Sequence, residues 1–143
     1  VAAALSLGAV GVWVGTAFLV AQECEIPEAR KDQILVGSTE DFVVTRAYTG
    51  KTARDYKNVI IDAWESSGLD PLPMPLQGVL MESFLKAAEQ AGRFDLINNP
   101  AGQIGGMLKE RKPAAQILDE LIDGAVEVLQ EMQHFVALAP ASQ

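Results

Sequence analysis

The spacing of apolar residues predicts an α/β chain that is mostly helical with few strands. Three observations carry this. Apolar residues recur at three- and four-residue intervals in stretches beginning at Pro27, Leu76 and Pro113, whereas only "GVWV" (11–14) and "DFVVTRAY" (41–48) have the β-branched and aromatic content of strands. Glycines at 8, 37, 68 and 92 punctuate the patterns, as helix-ending residues do.

The opening "VAAALSL" has the small and apolar residues of a helix end, and Gly8 suits the left-handed position that stops it. "GVWV" then predicts a buried strand ending at Gly15-Thr16. A glycine there lets a ligand approach the backbone, and a threonine adds a hydroxyl, so the end is a candidate anion cradle; a plain turn is the simpler reading. A membrane helix is the alternative, because no charged side chain occurs from Val1 to Ala21 and roughly 20 apolar residues cross a bilayer. Against it stand the lack of a basic segment before the run and three glycines, each costing about 1 kcal/mol in a helix relative to alanine. Glu23 before Cys24 is also wrong for a lipidated cysteine, where a small residue is needed.

Pro27 and the acidic residue after it open a helix running to about Val36, broken by Gly37-Ser38. The strand "DFVVTRAY" leads into "TGKT", which is not a phosphate loop of the Walker kind, since Thr45 stands where its first glycine must be. Arg46, Lys51, Arg54 and Lys57 read as a solvated or ion-paired surface. Val59, Ile60, Ala63 and Trp64 share a helical face that closes at Gly68, and "LDPLPMPLQ" is a rigid connector. Leu76, Val79, Leu80, Phe84, Ala87, Ala88 and Ala91 form the expected core face of the next helix, ended by Gly92. "NNPAGQIGGM" is a glycine-rich loop. From Pro113 the last helix sets Ile117, Leu118, Leu121, Ile122, Ala125, Val128, Leu129 and Met132 on one side and a solvated acidic face on the other.

Composition narrows the function. The 143 residues, 49% hydrophobic, suit one domain with a substantial core, and the net charge of −8 disfavours nucleic acid as a partner. One cysteine excludes an internal disulfide and a cysteine-based zinc site, which points to a cytoplasmic chain with Cys24 as a partly buried residue. His134, the single histidine, falls near the end of the last helical pattern at a solvated position, so no histidine-based triad is built on it. No catalytic residue and no metal ligand is assigned. "GVWVGT" needs strand neighbours that the chain does not obviously supply.

"AAALSLGAVGVWVGTAFLVAQE", "FVVTRAYTGKTAR" and "NPAGQIGGM", in this order, resemble the C-terminal part of the nitronate monooxygenase (2-nitropropane dioxygenase) family. Leu7-Gly8-Ala9, Gly15-Thr16 and Phe18-Leu19 correspond to its pattern, as do "VTRAYTGKTAR" and "AGQ". The resemblance implies an FMN-dependent (β/α)₈ TIM barrel, of which residues 1–143 form a single partial domain: a last barrel strand at 11–16, a helical insertion at 27–92 and a final helix at 113–133. It implies oxidation of a small-molecule alkyl nitronate by oxygen to a carbonyl compound and nitrite, with Gly15, Thr16 and Gln103 on the cofactor. The family's histidine lies outside the chain, which alone is expected to be inactive. A flavin-dependent enoyl-thioester reductase or NAD(P)H:quinone reductase of the same barrel type is the alternative. A non-catalytic helical protein anchored to a membrane or partner is the reading from another class.

Overall fold

The computed structural model describes residues 1–137, and side chains up to residue 134. Two compact units divide the chain, one made of residues 1–23 with the segment from residue 111 onward, the other of residues 24–110.

In the first unit α1 (Ala2–Ser6) is stopped at Gly8, whose φ of 94° places it in the left-handed region as the sequence indicated. Residues 9–15 form neither helix nor strand, and α2 (Thr16–Leu19) is a single turn. The long α6 (Ala114–Ala137) packs on both α1 and α2. Glu23 accepts a hydrogen bond from the Ala114 amide at 2.9 Å, setting a negative charge on the positive end of α6. Nearby, the Gln22 amide donates to Lys112 O at 3.0 Å.

Two sequence expectations fail in this unit. "GVWV" is not a buried strand: Val12 and Trp13 are exposed, Trp13 almost completely at 99%. The described residues of this unit contain no strand to pair with, and an unpaired ladder leaves its amides and carbonyls better served by water. The buried side of α6 is also narrower than its apolar face. Ile117 and Ala125 are buried and Leu121 and Leu129 half-buried, whereas Leu118, Ile122, Val128 and Met132 are exposed. The small helices α1 and α2 are too short to cover a stripe of that width.

The second unit opens with α3 (Glu28–Val36), entered from Pro27 and left at Gly37. A 3₁₀ turn, Thr39–Asp41, is closed by a capping box in which Asp41 accepts from the Ser38 amide at 2.7 Å and the Ser38 hydroxyl at 2.9 Å. Those hydrogen bonds hold the Asp41 carboxyl below the usual range. Strands β1 (Phe42–Thr45) and β2 (Ala53–Tyr56) form an antiparallel hairpin with Phe42 opposite Tyr56 and Thr45 opposite Ala53. The phenyl and phenol rings meet edge-on, centroids 5.6 Å apart.

Asn58 caps α4 (Val59–Ser67), accepting from the amides of Ile60 and Ile61 at 3.0 and 3.1 Å, and Gly68 ends it with φ 71°. The connector to α5 (Leu76–Gln90) is irregular, as its prolines require, and includes a cis Met74–Pro75 bond. Ala47, Tyr48, Ile61 and Met81 form one core cluster, with Val43, Ile60, Trp64, Phe84 and Leu85 packed around it, and Ile34 and Phe42 are also fully buried.

On α5 the expected face is buried only in part: Ala88 is inside and Phe84 packs against the core, but Gln77 and Met81 are inside where Leu76, Val79 and Leu80 face out. The cause is polar: Gln77 Nε2 donates to Ala47 O at 2.5 Å and Gln77 Oε1 accepts from the Leu72 amide at 3.0 Å, fixing the rotation of the helix. A reading of apolar periods alone assigns a glutamine to the outside.

Candidate functional site

Gly15 is the residue before the first turn of α2, with φ −107° and ψ −59°, and Thr16 is half-buried behind it. A Cβ built on Gly15 would meet no atom within 4 Å. The backbone is therefore open on that side, the condition for a bulky anion to approach it. Behind the turn, Val20 and Ala21 are each 2% exposed and anchor it. Gly15 stands before a helix start, not at the end of a paired strand as expected, for the reason given for "GVWV".

Gln103 belongs to the other unit, so the structure does not gather the three expected cofactor residues into one unit. It is exposed and opens a 3₁₀ turn, Gln103–Met107, inside the glycine-rich loop. That turn is held by close approach. A Cβ on Gly105 would run into the ring of Phe42, and one on Gly106 into the backbone of Ser38 and Thr39. Phe42 is 1% exposed and cannot retreat. Lys109 extends the attachment by donating to Gly37 O at 2.9 Å.

Ahead of the turn, residues 99–101 lie along the free edge of β2. The Tyr56 amide donates to Asn99 O at 3.1 Å, the Ala101 amide to Arg54 O at 3.3 Å, and Asp55 bridges to Pro100. Pro100 has no amide to offer, which suits an edge position. On its other side the segment is tied to α3: Asn99 Nδ2 donates to Arg30 O and Gln33 Oε1 at 2.9 and 3.0 Å, and Arg30 Nη2 donates to Asn98 O at 2.9 Å.

The "VTRAYTGKTAR" stretch proves to be structural. Arg46 Nε donates to Gly50 O at 3.0 Å and Arg54 Nη1 to Phe42 O at 2.7 Å; Arg46, Lys51 and Lys57 are exposed, as expected of a solvated or ion-paired surface, and Arg54 is half-buried. Lys57 does pair with exposed Asp62, at 3.2 Å. Asn58 Nδ2 donates to the Tyr48 phenol at 2.8 Å, whose own proton goes to Leu96 O at 3.0 Å. Burial pushes Tyr48 up to about 12, so it stays a neutral donor.

The buried polar residues missed by sequence reasoning are Lys31, Asp55, Gln77 and Asn99. Their signal is weak, because "ARDY" alternates without an apolar face. His134 is exposed on α6 and Cys24 is half-buried, both as expected. Among the described residues no group of three or more His, Cys, Asp and Glu side chains could hold a metal ion, and no helix is long and apolar enough to cross a membrane.

A helix-rich chain with a two-stranded hairpin, an open glycine before a helix start and a clamped glycine-rich turn corresponds to part of a (β/α)₈-barrel oxidoreductase. A family profile for nitronate monooxygenase matches residues 1–124, and the chain belongs to that family of flavin-dependent oxidoreductases. A Mycobacterium tuberculosis protein named as a monooxygenase is 34% identical across 95% of the chain, and a probable nitronate monooxygenase of Staphylococcus aureus is 35% identical across 91%. The chain spans 38% and 36% of their lengths. Among solved structures, nitroalkane oxidase from Streptomyces ansochromogenes superposes with a TM-score of 0.81 at 28% identity, over 92% of this chain and 37% of that one. FabK from Thermotoga maritima superposes with a TM-score of 0.76 at 27% identity, over 94% and 42%.

Proposed function

We propose that the chain is the phosphate-holding part of an FMN-dependent nitronate monooxygenase that oxidises alkyl nitronates with oxygen to carbonyl compounds and nitrite. The observation that carries this is the empty space beside Gly15, directly before Thr16 and a helix start, in a chain of this family. Loops at the end of a (β/α)₈ barrel commonly hold phosphate by such means, with backbone amides and a helix N-terminus facing the anion. The residues present fit the phosphate end of FMN: Gly15 gives it room and Thr16 gives it an amide and a hydroxyl. Gln103 is the third candidate ligand, through its exposed carboxamide. Bound FMN would supply the redox chemistry between nitronate and oxygen. Residues 1–143 contribute binding and orientation. The exposed Val10 and Trp13 fit this reading, since they need neighbouring strands of the kind a complete barrel provides.

The test is flavin content after gel filtration, in a form of the protein that carries a complete barrel. A Cβ at Gly15 meets no atom of this chain within 4 Å, and Gly15→Val is chosen to fill the space that the phosphate needs. We expect it to lose FMN, with Cys24→Ala unchanged. Equal flavin absorbance in wild type and Gly15→Val would refute the assignment. A flavin-dependent enoyl-thioester reductase is the second reading, supported by the superposition on FabK. Turnover of an enoyl thioester with a nicotinamide donor, and none of a nitronate, would select it.

A further inference from the structure

We propose that Asp55 is a positioning residue for residues 98–107: its protonated carboxyl holds that segment to β2, and its ionisation loosens the segment and Gln103 with it. The functional consequence rests on the reading of Gln103 as a cofactor ligand. The latch itself does not.

The geometry comes first. Asp55 sits in β2 at 3% exposure, and its Oδ1 accepts the Asn99 amide at 2.5 Å. That contact lies between the two backbone hydrogen bonds that dock residues 99–101 on the strand edge, so Asp55 is the side-chain part of the attachment. Gly102 and the Gln103–Met107 turn follow immediately. The cluster holds two buried polar atoms without a hydrogen-bond partner, the acceptor Asn99 Oδ1 and the donor Arg30 Nε.

Charge decides the direction. Burial pushes the Asp55 carboxyl up to about 6, against the pull of the Asn99 amide, the Arg30 charge and the Tyr56 amide. Arg30 faces it from α3. From the β1–β2 connection, Arg46, Lys51 and the neutral Tyr48 line the same cavity of about 50 Å³, to which the 98–101 segment contributes Asn98 and Pro100 but no ionisable side chain. Opening the segment returns Asp55 to water and to its ordinary value of 3.8. The docked form thus binds the proton more tightly than the open form. Docking is strongest below the ordinary value and weakens as pH rises to about 6, with no further change above. The difference between the two values corresponds to a rise in opening on the order of 100-fold.

Amide hydrogen exchange on the full chain, read by NMR and corrected for base catalysis of free amides, measures that opening. At Asn99 and Ala101 the opening constant should rise about 50-fold between pH 4 and 7, while the Asp62 amide inside α4 should show no such rise. Asp55→Asn keeps an acceptor for Asn99 and cannot ionise, so its profile should be flat. A flat wild-type profile, or the same rise in Asp55→Asn, would overturn the proposal. Should the variant fail to fold, the carboxyl carbon shift of Asp55 in the wild type decides: a midpoint near 6 supports the latch and one near 4 overturns it. FMN titration of Gln103→Ala tests the other reading separately, because unchanged FMN affinity would remove Gln103 from the cofactor without touching the exchange result.

Discussion

Replacing Gly50 by alanine should be among the more damaging single-methyl changes in the second unit, and the structure separates two reasons. Gly50 has φ 75°, a conformation that costs an L-residue about 1–2 kcal/mol. A Cβ there would also strike the carbonyl of Leu72 and come within 2.7 Å of Met74 N and 2.9 Å of Pro73 C, all backbone atoms of the connector. Backbone cannot swing aside as a side chain can, so crowding should add about 1–3 kcal/mol. Gly68 supplies the control, with φ 71° and nothing within 4 Å of its Cβ position. Gly68→Ala therefore carries the conformational cost alone. At roughly 3 °C of melting temperature per kcal/mol for a chain of this size, Gly68→Ala should lose about 3–6 °C and Gly50→Ala about 6–15 °C. Thermal unfolding followed by far-UV circular dichroism measures both. Equal losses would mean that the connector yields and that Gly50 is required only for its backbone angle.

Asn58→Ala removes the cap of α4 and the donor to Tyr48 together, and should cost about 2–3 kcal/mol, measured by urea unfolding. Asn58→Asp retains the capping oxygen but not the donor, and should recover about 1 kcal/mol of that loss. Gln77→Met preserves volume yet leaves Ala47 O and the Leu72 amide without their partner, so it should destabilise by about 2–4 kcal/mol in the same assay, whereas an apolar period would have marked the change as harmless.

These sites show where the sequence was readable and where it was not. Gly8, Gly68 and Gly92 were legible as stops because left-handed backbone is a local property, and all three have positive φ. Starts at Pro27 and Pro113 were legible for the same reason, since proline fixes its own angle. Strand β2 was not, because Ala53–Tyr56 owes its conformation to β1 and to the 99–101 edge, both distant in sequence. "GVWV" is the converse, a run with strand composition in a unit whose described residues offer no strand beside it. Composition states what a segment can bury; whether it does depends on neighbours. The candidate site divides in the same way. Gly15 and Gly105 are both glycines in loops, yet one faces open space and the other a phenyl ring that an added methyl would strike. Glycine alone does not tell the two apart, so only the surroundings distinguish a glycine with open space beside it from one that makes room for the protein's own core. That distinction is why Gly15→Val is a test of binding, while any side chain at Gly105 would first be a test of folding.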